Sequence, residues 1–242
     1  MPAERIDPAP KLPARVSLPL DSTIGELWIA RTRQHFEDSY AGIAMLQFPE
    51  DLRALEHAMW LSRPRVVIEI GVHRGGSTLW FRDRLQTLRQ YGLEDPVQVI
   101  GVDLDVSAAA TALHSADPGF ADTITLVEGD VLDPELPARV RGELRVAGAQ
   151  CMVVEDSAHT YDTTRAALAG FADFVAPGGF FIVQDGCVDV EEMRADPTWP
   201  RGVLPAVADW LDTAAGADFE VRRDLELYGI SCHPRGYLHR TR

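Results

Sequence analysis

The run Glu155-Asp156-Ser157-Ala158-His159 closes an apolar stretch, Cys151 to Val154, with two carboxylates and then an imidazole. A second apolar stretch, Phe180 to Val183, ends in Gln184-Asp185. If both are strands of a parallel sheet, their polar tips meet at its carboxyl edge, where open α/β sheets place ligands. Carboxylates beside an imidazole can hold a hard cation and remove a proton from a hydroxyl. The plainer alternative is that Asp156 or Ser157 caps the next helix and His159 is a surface residue near its start.

A second set of residues points to a cofactor. Glu69-Ile70-Gly71-Val72-His73-Arg74-Gly75-Gly76-Ser77 joins an apolar run to a helix-like segment. Glycines let a backbone approach a ligand closely, and helix N-terminal amides favour polar or anionic groups. The spacing is not the GxGxxG of dinucleotide sites, and an acid precedes the first glycine. That acid suits a cofactor with an ammonium group better than one with a pyrophosphate, which favours S-adenosylmethionine (SAM) over NAD. Asp103, ending the next apolar run, is placed either for ribose hydroxyls or for a cap, and Asp130, after the third, either for an adenine amino group or for a solvated turn. The expected cofactor contacts are therefore Glu69, Gly71, Gly75, Ser77, Asp103 and Asp130.

These tips need a sheet to hold them. Short, nearly continuous apolar runs at 66–70, 97–102, 124–127, 151–154 and 180–183 read as parallel strands covered on both faces. Helix-like segments at 77–91, 107–114, 135–146 and 161–174 separate most of them, with Gly142 interrupting the third. Upstream, helices are expected at 24–40 and 50–61, the second stopping before Pro64. Downstream, a helix at 203–211 leads to two strands, 218–221 and 227–232, a closing hairpin that adds an antiparallel strand. The irregular connection 186–202 is long enough to be a candidate lid. Five prolines in residues 1–20 suggest a flexible lead-in, followed by a helical region at 21–62 and the main domain at 63–242.

Composition excludes several classes of function. A chain of 242 residues suits one sizeable α/β domain. A net charge of −14 argues against nucleic acid and against anionic membranes, both of which need basic surface. Cys151, Cys187 and Cys232 are too few and too scattered for a disulfide framework or a zinc knuckle. With no apolar signal core and no membrane-length apolar run, a reduced cytoplasm is the expected compartment and a small molecule the expected partner.

In order and spacing, residues 42–185 resemble the cephalosporin-hydroxylase / rhamnosyl O-methyltransferase family, a branch of the class I methyltransferases. The resemblance runs through Met45-Leu46, Pro49, Arg63-Pro64-Arg65, the glycine loop with Trp80-Phe81-Arg82-Asp83, and Gly101-Val102-Asp103. It continues through Gly129-Asp130, Asp156-x-x-His159 and Gln184-Asp185. It implies a Rossmann-like, seven-stranded, mostly parallel sheet with an antiparallel C-terminal strand, SAM at the glycine loop, a magnesium ion, and a homo-oligomer. Asp156 and Asp185 would be metal ligands, with Gln184 where the family has glutamate, and His159 would be the general base. The implied activity is SAM-dependent, Mg-assisted O-methylation of a small molecule, a sugar or glycosylated natural product such as an antibiotic. The alternatives are a non-catalytic SAM-binding module and an oxygenase. An iron oxygenase wants two histidines and a carboxylate, and the one His-x-acid pair, His35-Phe36-Glu37, would splay apart on a helix.

Overall fold

In the computed structural model, residues 18–146 and 148–242 are described, together with the backbone but not the side chain of Tyr228. Most of the expected lead-in, 1–17, lies outside them. The chain folds around a seven-stranded sheet of order β5-β4-β3-β6-β7-β9-β8. Its five parallel strands are β3 (Val66–Ile70), β4 (Gln98–Asp103), β5 (Ile124–Glu128), β6 (Cys151–Glu155) and β7 (Phe180–Val183). All five coincide with the expected apolar runs to within a residue at either end.

Both faces of the central strands are covered, as their sequences require. Along β3, Val66, Ile68 and Ile70 pack into one apolar layer, and Val67 into the other. The first layer takes Leu136 of α5 (Leu136–Gly142), Phe171 of α6 (Tyr161–Phe171) and Trp210 of α7 (Val203–Leu211). The second takes Met59 of α2 (Pro49–Ser62), Leu85 of α3 (Gly76–Gln90) and Leu113 of α4 (Ser107–Ala116). This period-two alternation carries on to the strand tips. Glu69 therefore shares a face with α3, and Glu155 shares the opposite face with α6.

Three expectations need correction. The first helix, α1 (Ile24–His35), stops well short of residue 40. Its start is fixed by a capping box in which Thr23 Oγ1 accepts from Glu26 N–H and the Glu26 carboxylate accepts from Thr23 N–H. Beyond it the chain turns through Ala41 and Gly42, both at positive φ, and pairs β1 (Ser39–Tyr40) with β2 (Ile43–Ala44). The helix expected at 135–146 ends at Gly142. In the tail, β8 (Phe219–Val221) pairs not with 227–232 but with β9 (Tyr237–Arg240), which also runs antiparallel to β7. The reason is a buried acid. Asp51 of α2 accepts from Ser231 Oγ at 2.6 Å and Cys232 N–H at 3.0 Å, so that segment is held by a side chain instead of a ladder. No helix among the described residues is long and apolar enough to cross a membrane.

Candidate active site

Parallel register brings the strand tips level: Ile70 lies opposite Val102 and Glu155, Asp103 opposite Glu128, and Glu155 opposite Val183. The loop after β3 presses hard on the tip of β6. A Cβ on Gly71 would lie 1.9 Å from the Asp156 carbonyl oxygen, and Gly71 has φ +99, so no other residue fits. Gly75, at φ +89, caps α3. Gly76, the third glycine of the loop, is crowded too, since its Cβ would meet the Ala44 carbonyl oxygen at 2.3 Å.

The acids of the cofactor loop take distinct roles. Glu69 is buried and accepts from Thr78 Oγ1. Burial pushes its carboxyl up to about 7, and the nearby Asp103 charge adds to that against hydrogen bonds from Ser77 and Thr78. Asp103 uses one oxygen to hold the loop itself, accepting from Val72 and His73 N–H, both at 2.9 Å, and the other to accept from Leu104 N–H. Asp130 is exposed and makes a short turn by accepting from Leu132 N–H at 2.9 Å. Gly71, Asp103 and Asp130 line one cleft of about 520 Å³ along the carboxyl edge, whereas Ser77 faces the neighbouring cavity.

Asp156, His159 and Asp185 come together. One ligand atom from each lies within 4.8 Å of the others, and His159 Nε2 is 3.4 Å from Asp185 Oδ2. His159, Asp185 and the neighbouring His73 all sit at positive φ, a costly backbone choice for non-glycine residues that is held by the surrounding packing. Burial raises the Asp156 carboxyl well above its ordinary value, and the charges of Asp185, Glu69 and Glu155 raise it further. Glu155 is buried and shifted the same way, mostly by desolvation, while Ser157 donates to it from Oγ at 2.5 Å. Half-buried carboxylates crowded in this way, with an imidazole beside them, are a suitable donor set for a hard divalent cation. Gln184 is also buried, but its Oε1 accepts from Gln47 Nε2 at 2.5 Å.

Gln47 escaped the reading of the sequence. Its amide donates to both Asp156 Oδ2, at 3.2 Å, and Gln184, residues 109 and 137 positions away along the chain. Its own Oε1 is buried with no partner. Only the unexplained polar residue between Leu46 and Phe48 could have signalled it. Gln47 lines a second cavity, about 300 Å³, that shares Gly71, His73, Asp156 and Ser157 with the first. Segment 186–202 walls this cavity with Val188, Trp199 and Pro200. Arg194 ties that segment down, donating to the carbonyls of Val188, Pro197, Trp199 and Pro200. Asp189 does the same at its far end, accepting from Gly202 and Leu204 N–H at the start of α7.

A family model described as rhamnosyl O-methyltransferase/CmcI matches residues 33–241. Among solved structures, CmcI with Mg and SAM aligns at TM-score 0.62 with 25% identity, covering 98% of this chain and 92% of that one. Its apo form aligns at 0.61 with 25% identity, covering 95% and 89%. The apo TDP-rhamnose 3'-O-methyltransferase of calicheamicin biosynthesis aligns at 0.53 with 20% identity, covering 79% and 78%, a likeness of fold alone. No curated protein sequence matches the chain.

Proposed function

The chain belongs to the rhamnosyl O-methyltransferase/CmcI family of SAM-dependent O-methyltransferases, and from that premise we propose that it methylates a hydroxyl of a small molecule, a sugar or glycosylated natural product, with the help of magnesium. One observation carries this reading. Asp156, His159 and Asp185 cluster where the cleft at the glycine loop meets a second, separate cavity. A two-substrate transfer needs that layout, because the donor and the acceptor must reach the same point from different sides.

The residues divide the work. Residues 63–242 form the methyltransferase domain, and the helical region 21–62 supplies Gln47 and part of the acceptor wall. The glycine loop and Glu69 receive SAM, with Gly71 and Gly75 giving backbone access, Ser77 at the helix start, and Asp103 and Asp130 along the cleft. Asp156 and Asp185 hold the cation, with the free lone pair of the Gln184 oxygen as a third donor. When bound, the cation supplies the positive charge that lowers a hydroxyl's pKa. His159 removes the hydroxyl proton. Gln47 orients Asp156 and Gln184 through its amide. The cluster of acids supports the metal on physical grounds, since Asp185, Glu69 and Glu155 all push the Asp156 carboxyl up and a bound cation would relieve that repulsion.

The test separates binding from chemistry. Asp156→Ala and His159→Ala are each expected to lower turnover at least ~100-fold while SAM affinity, read by calorimetry, changes less than ~3-fold. Turnover near wild type in both variants would end this assignment.

A further inference from the structure

Resting on that reading, we propose that the acceptor cavity selects an uncharged molecule with a flat apolar body and rejects nucleoside-diphosphate sugars. Among the described residues, no lysine or arginine lines the cavity. Arg31, over the Phe48 ring, is paired with Glu50 at 2.5 Å, and Arg194 is committed to four backbone carbonyls. Asp156 and Asp185 line the cavity. With the charge of a bound cation offset by Asp156 and Asp185, a diphosphate entering there would lose water and find no lysine or arginine among the described residues to pair with.

The walls suit a different guest. Trp28 stacks on Phe48 with centroids 5.0 Å apart and planes 1° from parallel, and its indole N–H donates to the Met193 carbonyl at 2.7 Å. The His35 ring lies 4.6 Å from Phe48, and Phe36 meets Trp199 edge-on at 6.2 Å. Aromatic faces held this rigidly take flat rings or the apolar faces of sugars with little loss of entropy. Polar groups for orientation sit beside the acid cluster, where Gln47 Oε1 and His159 Nδ1 are buried without partners on residues that line the cavity, and a turn of the Gln47 amide would present its oxygen to a ligand hydroxyl. The volume of about 300 Å³ lies at the small end of small-molecule sites. Any sugar methylated here has therefore already left its nucleotide, and a glycosyl transfer supplies the substrate.

The experiment titrates the full-length protein by tryptophan fluorescence with two probes, an uncharged nitrophenyl rhamnoside and thymidine diphosphate-rhamnose. The neutral glycoside is expected to bind at least ~10-fold more tightly. Trp199→Ala, at a half-buried position whose backbone carries the Arg194 contact, should weaken the neutral probe ~10-fold and leave the charged one unchanged. Phe36→Arg, at an exposed position lining the cavity, should narrow the gap by favouring the diphosphate. Equal or tighter binding of the nucleotide sugar, or no binding of the neutral glycoside, overturns the proposal. A parallel SAM titration keeps the two readings apart. Normal SAM binding with a preference for the nucleotide sugar sinks the acceptor proposal alone, whereas absent SAM binding sinks the methyl-transfer reading itself.

Discussion

Gln184 puts a neutral amide where a carboxylate would add a charge to the acid cluster, and Gln47 already donates to its oxygen. The proposed cation site would thus draw two full charges from Asp156 and Asp185 and a weaker third donor from Gln184. Gln184→Glu should bind Mg²⁺ about tenfold more tightly by calorimetry, because hard-cation affinity follows ligand charge. The same variant should melt lower in metal-free buffer, since a further buried carboxylate adds to the repulsion already raising Asp156. Unchanged affinity would remove position 184 from the ligand set. At this scale the sequence was readable near strand ends: Asp156 and Asp185 each stand two residues past an apolar run, and His159 follows Asp156 by three. Gln47 was hidden because its partners are brought to it by tertiary folding and no local pattern marks it.

Among the elements, the tail depends on α2. Asp51 accepts from Ser231 and Cys232, and the Tyr237 hydroxyl lies 3.4 Å from it, all in the buried interior. Asp51→Ala leaves those donors unpaired and should cost about 3 kcal/mol in urea unfolding. A loss below ~0.5 kcal/mol would mean that the packing of Tyr237 and Leu238 holds the tail unaided. This contact also explains which elements could be foreseen. The parallel strands are apolar on both faces, so composition alone reveals them. The hairpin was misplaced because Leu227 and Ile230 look like strand residues, while β9 carries His239 and Arg240 and looks like a polar tail. Which segment joins the sheet was decided by Asp51, some 180 residues earlier in the chain. The short hairpin of β1 and β2 was hidden by helical composition and declared only by the positive φ of Ala41 and Gly42.

For the molecule as a whole, converging carboxylates make stability depend on pH. The Glu69 carboxyl moves from 4.5 to about 7 on folding, so the native state holds its proton more tightly than the unfolded chain. Stability from this group is present in full below pH 4.5 and is lost as pH rises to about 7, roughly 3 kcal/mol in all. Without ligands, Glu69→Gln should raise the melting temperature by about 5 °C at pH 8 and change it little at pH 5. An equal effect at both pH values would show that the buried charge is not what limits stability. The fold therefore accepts a cost at its centre, a pattern common at functional sites, and the proposed cofactor would relieve it. The segment opposite this centre follows another logic. Arg194 grips 186–202 by main-chain carbonyls alone, contacts that every residue type can offer. Side chains between the anchors, Trp199 among them, can be exchanged without the segment losing its course. If this cavity takes the acceptor as proposed, acceptor preference can drift here while the scaffold is inherited intact.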